Sequence, residues 1–141
     1  MSGMAAAVYV SSISTNLALS EIEGLLEKAQ QRNREHGITG ALLYCNRSFM
    51  QYIEGPSVNL AAVYKKIQAD DRHHSIIELF YGVIEVREFL DWSMAYSVVD
   101  KALFQDLTRA SWIRPSEGQL SIGQELLRTF WKNNTPSSGA N

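Results

Sequence analysis

The chain has a single cysteine, Cys45, so it can close no internal disulfide and build no multi-cysteine metal centre. No uninterrupted apolar run approaches the roughly 20 residues a membrane-spanning helix needs. The N-terminus also lacks the basic-then-apolar layout of a secretory signal. There is no Lys/Arg block: 13 basic residues stand against 15 acidic ones, a net charge of −2. That balance gives no footprint for nucleic acid or an anionic membrane. A cytoplasmic location is the expectation from these absences. What is present is 141 residues, 45% hydrophobic and 20% charged, enough for one domain with its own core.

Periodicity divides the chain into elements. "AAAVYVSSI" (5–13) is rich in Val and Ile and reads as a strand. Ser20 is a candidate N-cap with Glu23 completing a capping box, and the helix that follows runs to a stop at Gly37. "ITGALLYCN" (38–46) and "SFMQYIEG" (48–55) read as strands joined by a tight turn at "NR". A second helix (58–70) carries Leu60, Val63, Tyr64 and Ile67 on one stripe; strands at 76–86 and 92–99 follow. The order β-α-β-β-α-β-β predicts an α+β, ferredoxin-like mixed sheet with one extra strand and both helices on one face. Two further helices are expected in 101–111 and 118–134. They would cover the other face, because "LFYGVI" is apolar on both sides. The polar tail, 135–141, is expected to be disordered.

Against this pattern, several polar residues fall where apolar ones are expected. In "SFMQYIEG" one strand face carries Phe49, Gln51 and Ile53, the other Met50, Tyr52 and Glu54. Gln51 is thus an amide between large apolar neighbours, and leaving its donors and acceptor bare costs on the order of 1–3 kcal/mol. The inward stripe of the first helix, Ile22, Leu25, Leu26 and Ala29, arrives at Asn33, with Arg32 beside it. Lys66 flanks the stripe of the second helix, and Asp70, Arg72 and His73 cluster past its last turn. Side by side on the sheet, the helices would bound one crevice. Leu25, Ile67 and Phe49 would form its walls, with amides inside and cations at the mouth. Such a crevice suits a flat heteroaromatic ring with a phosphorylated tail.

Each feature also has a purely structural reading. Gln51 could be a core amide bonded to backbone, Asn33 a helix terminator, Lys66 and Arg72 solvated charges, and Tyr9 an ordinary strand aromatic. His73 and His74 have no carboxylate or thiol at a helpful spacing, so no metal is expected. Three functional classes stay open on residues alone. They are a binding domain for a colourless ligand, a small hydrolase of acyl phosphates, and a structural assembly module. No glycine-rich phosphate loop follows the first strand, which weighs against the hydrolase.

The combined motifs narrow this. "VYVSSIS", "QRNREHGITGALLYCNRSFMQYIEG", "IQADDRHHSI" and "FLDWSMAY" occur in this order and spacing. Together they closely resemble the BLUF family of blue-light sensors using FAD, over about residues 6–100. The resemblance implies a photosensory domain at 4–100 and a helical extension at 101–134. It implies that Tyr9 is the redox-active tyrosine and that Gln51 lies between it and the flavin. Asn33 would bond the ring's carbonyl and imide edge. Arg32 stands where relatives often carry Asn or His, and Lys66 where Arg is familiar. Asp70, Arg72 and His73 would contact the pyrimidine side and ribityl chain. Ser11 (of Tyr-x-Ser), Leu25, Phe49 and Ile67 complete the expected cofactor contacts. Trp92 and Met94 would relay the signal.

In the mechanism so implied, excited flavin takes an electron and then a proton from Tyr9. Gln51 rearranges, and the flavin returns oxidised with a small red shift. FAD is the expected cofactor, FMN an alternative. Nothing after residue 100 is long enough for a cyclase or phosphodiesterase. The expectation is therefore a sensor rather than an enzyme, signalling by self-association or through a separate protein.

Overall fold

The computed structural model describes residues 3–13, 18–70, 72–85, 87–89, 95–116 and 118–134. The chain builds strands β1 (Met4–Ile13), β2 (Thr39–Cys45), β3 (Ser48–Pro56), β4 (His73–Ile84) and β5 (Ala95–Val98), with β1 and β3 buried on both faces over most of their length. Helix α1 (Leu19–His36) joins β1 to β2, α2 (Ser57–Ala69) joins β3 to β4, and α3 (Lys101–Arg109) and α4 (Ile122–Asn134) close the chain. The strands form one five-stranded sheet in the order β4-β1-β3-β2-β5. All neighbours are antiparallel except β2 and β5, which run parallel. This is the predicted ferredoxin-like arrangement with one extra strand.

The sheet separates two apolar layers. Ala5, Ala7 and Ile53 face α2, packing on Leu60, Val63 and Tyr64. Val8, Leu43, Met50 and Tyr52 face the C-terminal helices, packing on Leu107, Trp112, Leu127 and Trp131. Period-two alternation on the strands sends successive side chains into opposite layers.

Local chemistry sets the joints. Gly37 ends α1 at φ 69°, a left-handed position that suits glycine, while Ile38 N–H reaches Asn33 O at 2.8 Å. The two turn residues between β2 and β3 have φ of 45° (Asn46) and 67° (Arg47), as a two-residue hairpin of primed type requires. Gly40 has a positive φ of 157°, which L side chains rarely adopt, and a Cβ there would lie 1.8 Å from the carbonyl oxygen of Tyr52. The glycine of Ile-Thr-Gly is therefore a close strand approach.

Three expectations need correction. The cap of α1 is Ala18, not Ser20: Glu21, rather than Glu23, reaches back to the Ala18 N–H at 2.8 Å. The helix α4 starts at Ile122, not 118. Ser121 and Gln124 cap it reciprocally, with bonds of 2.9 and 3.1 Å between each side chain and the other's N–H. The strand β4 begins at His73 and is an edge strand, so its apolar run is only half covered. Leu79, Phe80 and Ile84 join the core, while Ile77, Tyr81 and Val83 stay exposed. Residues 135–141, expected to be disordered, lie outside the described residues.

Candidate functional site

One cross-strand row spans the sheet on the face turned to α1 and α2. Tyr9 is paired with Glu78 on one side and with Gln51 on the other. Leu42 is paired with Gln51, and Tyr96 with Leu42. Neighbours directly opposite in a sheet are close enough for side chains to touch. Here Tyr9 Oη donates to Gln51 Oε1 at 2.5 Å. Both residues are buried, at 3% and 5% exposure, in the two strands at the middle of the sheet. The tyrosine ring is also flanked by Tyr64 and His73, with ring centres 5.9 and 6.0 Å away.

Burial pushes the Tyr9 phenol well above its ordinary pKa. Nearby Tyr64 adds to the rise, Arg32 opposes it and Asp70 adds again. Tyr9 therefore keeps its proton across the physiological range.

Over this row lies a crevice of about 130 Å³ between the helices. Gln51, Phe49 and Tyr9 form its floor, and Leu25 and Arg32 line it from α1. Ile67 closes the α2 side, with Asp70, Arg72 and His73 following it. Arg72 grips Asp70, Nε to Oδ1 at 2.9 Å and Nη2 to Oδ2 at 2.5 Å. That hydrogen bonding holds the Asp70 carboxyl at about 2. His73 Nε2 meets the Ile67 carbonyl at 2.7 Å, so this nitrogen must carry the proton, and Nδ1 sits 2.7 Å from Ser11 Oγ. Ser11 thus supports His73 from beneath and is not itself on the crevice wall.

The other expected residues divide. Asn33 is buried at 1% exposure and is not among the residues lining the crevice; among the described residues its Oδ1 has no hydrogen-bond partner, nor has the buried Nε of Arg32, which does line it. Lys66 is exposed and lies off the crevice lining; Lys28 of α1 is the lysine that lines it. Trp92 and Met94 lie outside the described residues. Ile22, Leu26, Ala29 and Leu42 also line the crevice without having been expected as contacts. The first three belong to the α1 stripe already legible in the sequence. Leu42 follows only from the register that sets it beside Gln51.

A flavin fits this donor set. An amide floor reads a ring edge, apolar walls cover its faces, and the buried Nε of Arg32 on the crevice wall lacks a partner among the described residues. Among the described residues, no three or more His, Cys, Asp or Glu are grouped to hold a metal ion.

Fold and crevice together define a ferredoxin-like ligand-binding domain with a buried tyrosine–glutamine pair. Residues 4–95 match the family model described as sensors of blue-light using FAD, BLUF. The chain belongs to this family of flavin-binding blue-light photoreceptors. It is 33% identical over 82 residues to the blue light- and temperature-regulated antirepressor BluF of Escherichia coli (strain K12), covering 58% of this chain and 20% of that protein. The dark-state structure of the BLUF protein BlrB matches with a TM-score of 0.67 at 34% identity, over 77% of this chain and 84% of that one. Klebsiella pneumoniae BlrP1 with FMN and cyclic diGMP matches with a TM-score of 0.62 at 25% identity, over 89% of this chain and 30% of that one. The chain thus spans a fifth of the antirepressor's length. Among the described residues no helix is long and apolar enough to cross a membrane.

Proposed function

We propose that this chain converts blue light absorbed by a flavin in the crevice into a changed hydrogen-bond pattern at Gln51, read out by a separate partner. The observation that carries the reading is the buried Tyr9–Gln51 bond on the crevice floor. When bound, a flavin supplies the absorption and an excited state that accepts an electron and then a proton.

The chain's own residues do the rest. Tyr9 holds a proton that burial keeps in place, ready to be given up and taken back. Gln51 presents its oxygen to that phenol, and an amide can exchange donor and acceptor by rotation or tautomerisation. The dry surroundings strengthen each hydrogen bond and limit the alternatives. In this reading Asn33 and Arg32 bond the ring edge, with Leu25, Phe49 and Ile67 on its faces. Arg72 and His73 attend the tail, with Lys28 on the crevice lining, and Asp70 orients Arg72. FAD is the proposed cofactor on the family's description, with FMN, bound in the Klebsiella protein, as the alternative occupant. Trp92 and Met94, just before β5, are proposed as the relay to the C-terminal helices. Output passes by self-association or to another protein.

The test is the visible spectrum of the purified protein, in the dark and just after blue light. The expected result is a flavin spectrum that shifts slightly red without bleaching and recovers in the dark. Gln51→Leu should stay yellow and lose the shift, whereas Met94→Ala should keep the shift and weaken the light-dependent partner contact. A protein that is colourless and refuses added FAD and FMN would sink the proposal.

A further inference from the structure

The Glu-Gly motif that follows Gln51 holds a second buried polar residue that the photochemistry leaves unused. Glu54 lies on β3, on the face opposite Gln51, and is fully buried at 0% exposure. Its carboxyl is satisfied from three directions. Tyr52 Oη donates at 2.9 Å, and the backbone N–H groups of Glu88 and Phe89 reach Oε2 at 3.0 and 2.6 Å. Thr39, its directly opposite neighbour on β2, adds a long contact at 3.5 Å. Among the described residues no Arg or Lys forms an ion pair with this carboxylate. Its partners are mainly two consecutive backbone amides, so it anchors the 87–89 segment to the strand that carries Gln51.

The same segment is gripped from the other side by the C-terminal helices. Arg128 of α4 donates to the Glu88 carbonyl and sits 5.2 Å over the Phe89 ring. Arg114, in the α3–α4 connection, lies 3.4 Å from the Glu88 carboxylate. Phe89 packs edge-on against Tyr52 at 4.9 Å, and Gln124, in the first turn of α4, donates to Tyr52 Oη at 3.2 Å. So β3 and the N-terminal half of α4 meet through Glu54, Tyr52 and Phe89. Hydrogen bonds of this kind weaken steeply with distance and angle, which makes such a junction made or broken rather than gradually stretched.

We propose that Glu54 is a positioning residue of the light response. It locks residues 87–89 between the Gln51 strand and α4, and a change in that strand reaches α4 through this lock. The inference rests on the sensor reading above and names the route of its output. It differs from a merely structural role, which would lower stability equally in light and dark and leave the light response of α4 intact.

The experiment is amide hydrogen exchange of the flavin-loaded full chain in the dark and under blue light, with the red shift recorded on the same samples. In the wild type, residues 122–134 should exchange differently in light and dark. Glu54→Gln, which keeps one acceptor oxygen, should reduce that difference, and Glu54→Leu and Gln124→Leu should abolish it. All three should keep the red shift. Where a Glu54 variant fails to fold, Gln124→Leu and the surface change Arg128→Ala decide. A light-minus-dark difference that persists in these variants overturns the proposal, as does a wild type that shifts red with no change in α4. A wild type without any red shift refutes the sensor reading itself, which is a separate failure.

Discussion

The Tyr9–Gln51 bond can be tested for energy as well as for colour. Replacing Gln51 by Leu keeps a similar side-chain size but removes the acceptor 2.5 Å from the Tyr9 hydroxyl. Tyr9 is 3% exposed, so its hydroxyl is poorly hydrated even on the crevice floor. A buried donor left in this state costs about 1–3 kcal/mol. Tyr9→Phe removes the donor instead and takes this bond from the buried Gln51 oxygen, a cost in the same range of about 1–3 kcal/mol. Replacing both partners removes the orphan along with the bond, so the double variant should lose less than the sum of the singles. The coupling should be about 1 kcal/mol or more, within the usual range for contacting residues. The assay is urea unfolding of the flavin-free chain, followed by circular dichroism, for the wild type, both singles and the double. Additivity to within about 0.3–0.5 kcal/mol would refute the reasoning, because residues that share no bond behave that way.

Two further outcomes follow from the backbone and from the crevice mouth. Gly40→Ala would drive a Cβ against the Tyr52 carbonyl oxygen, 1.8 Å away, at a φ that side chains rarely adopt. It should cost about 3 kcal/mol or more, seen as loss of soluble folded protein. Asp70 has its pKa held at about 2 by the bonds from Arg72. Its contribution to stability is therefore present above the unfolded value of about 3.9 and is lost as pH falls through the folded one. The difference in melting temperature between wild type and Asp70→Asn should narrow progressively below about pH 4; a constant difference down to pH 2 would count against the pair.

How much of this was legible in the sequence depends on the range of the interaction. The α2 stripe, the Gly37 stop and the Asn46–Arg47 turn are local. Each follows from periodicity or from backbone preference, and each stands in the structure. The α4 start is local too: Ser121 and Gln124 spell a capping box, and its spacing is the signal that places the helix at 122 rather than 118. Lys28 and Leu42 are different. Which lysine faces the crevice depends on how α1 lies against the sheet, and Leu42 joins the site through strand register, neither of which periodicity supplies. The covering of β4 also depended on topology. An apolar run reads the same whether its strand lies in the middle of a sheet or at its edge, and only the strand order puts β4 at the edge.

Glu54 was open to the logic that singles out Gln51: a polar side chain between apolar neighbours on a strand must find partners. What the sequence could not supply was the partner, since backbone N–H groups carry no residue signature. The position of both residues on β3 gives the pair its meaning. The strand is hydrogen-bonded on both sides, to β1 and to β2, and residues 50–55 are all buried. An edge strand such as β4 can absorb a local change by bulging, and its register against β1 already shifts between Val8 and Tyr9 and again between Val10 and Ser12. The centre of a paired sheet has no such freedom. A rearranged amide at Gln51 must either be accommodated by its own rotation or displace the strand and everything bonded to it, and the bonded group three residues on is Glu54. The choice between those two responses is what exchange at α4, in light and in dark, would read.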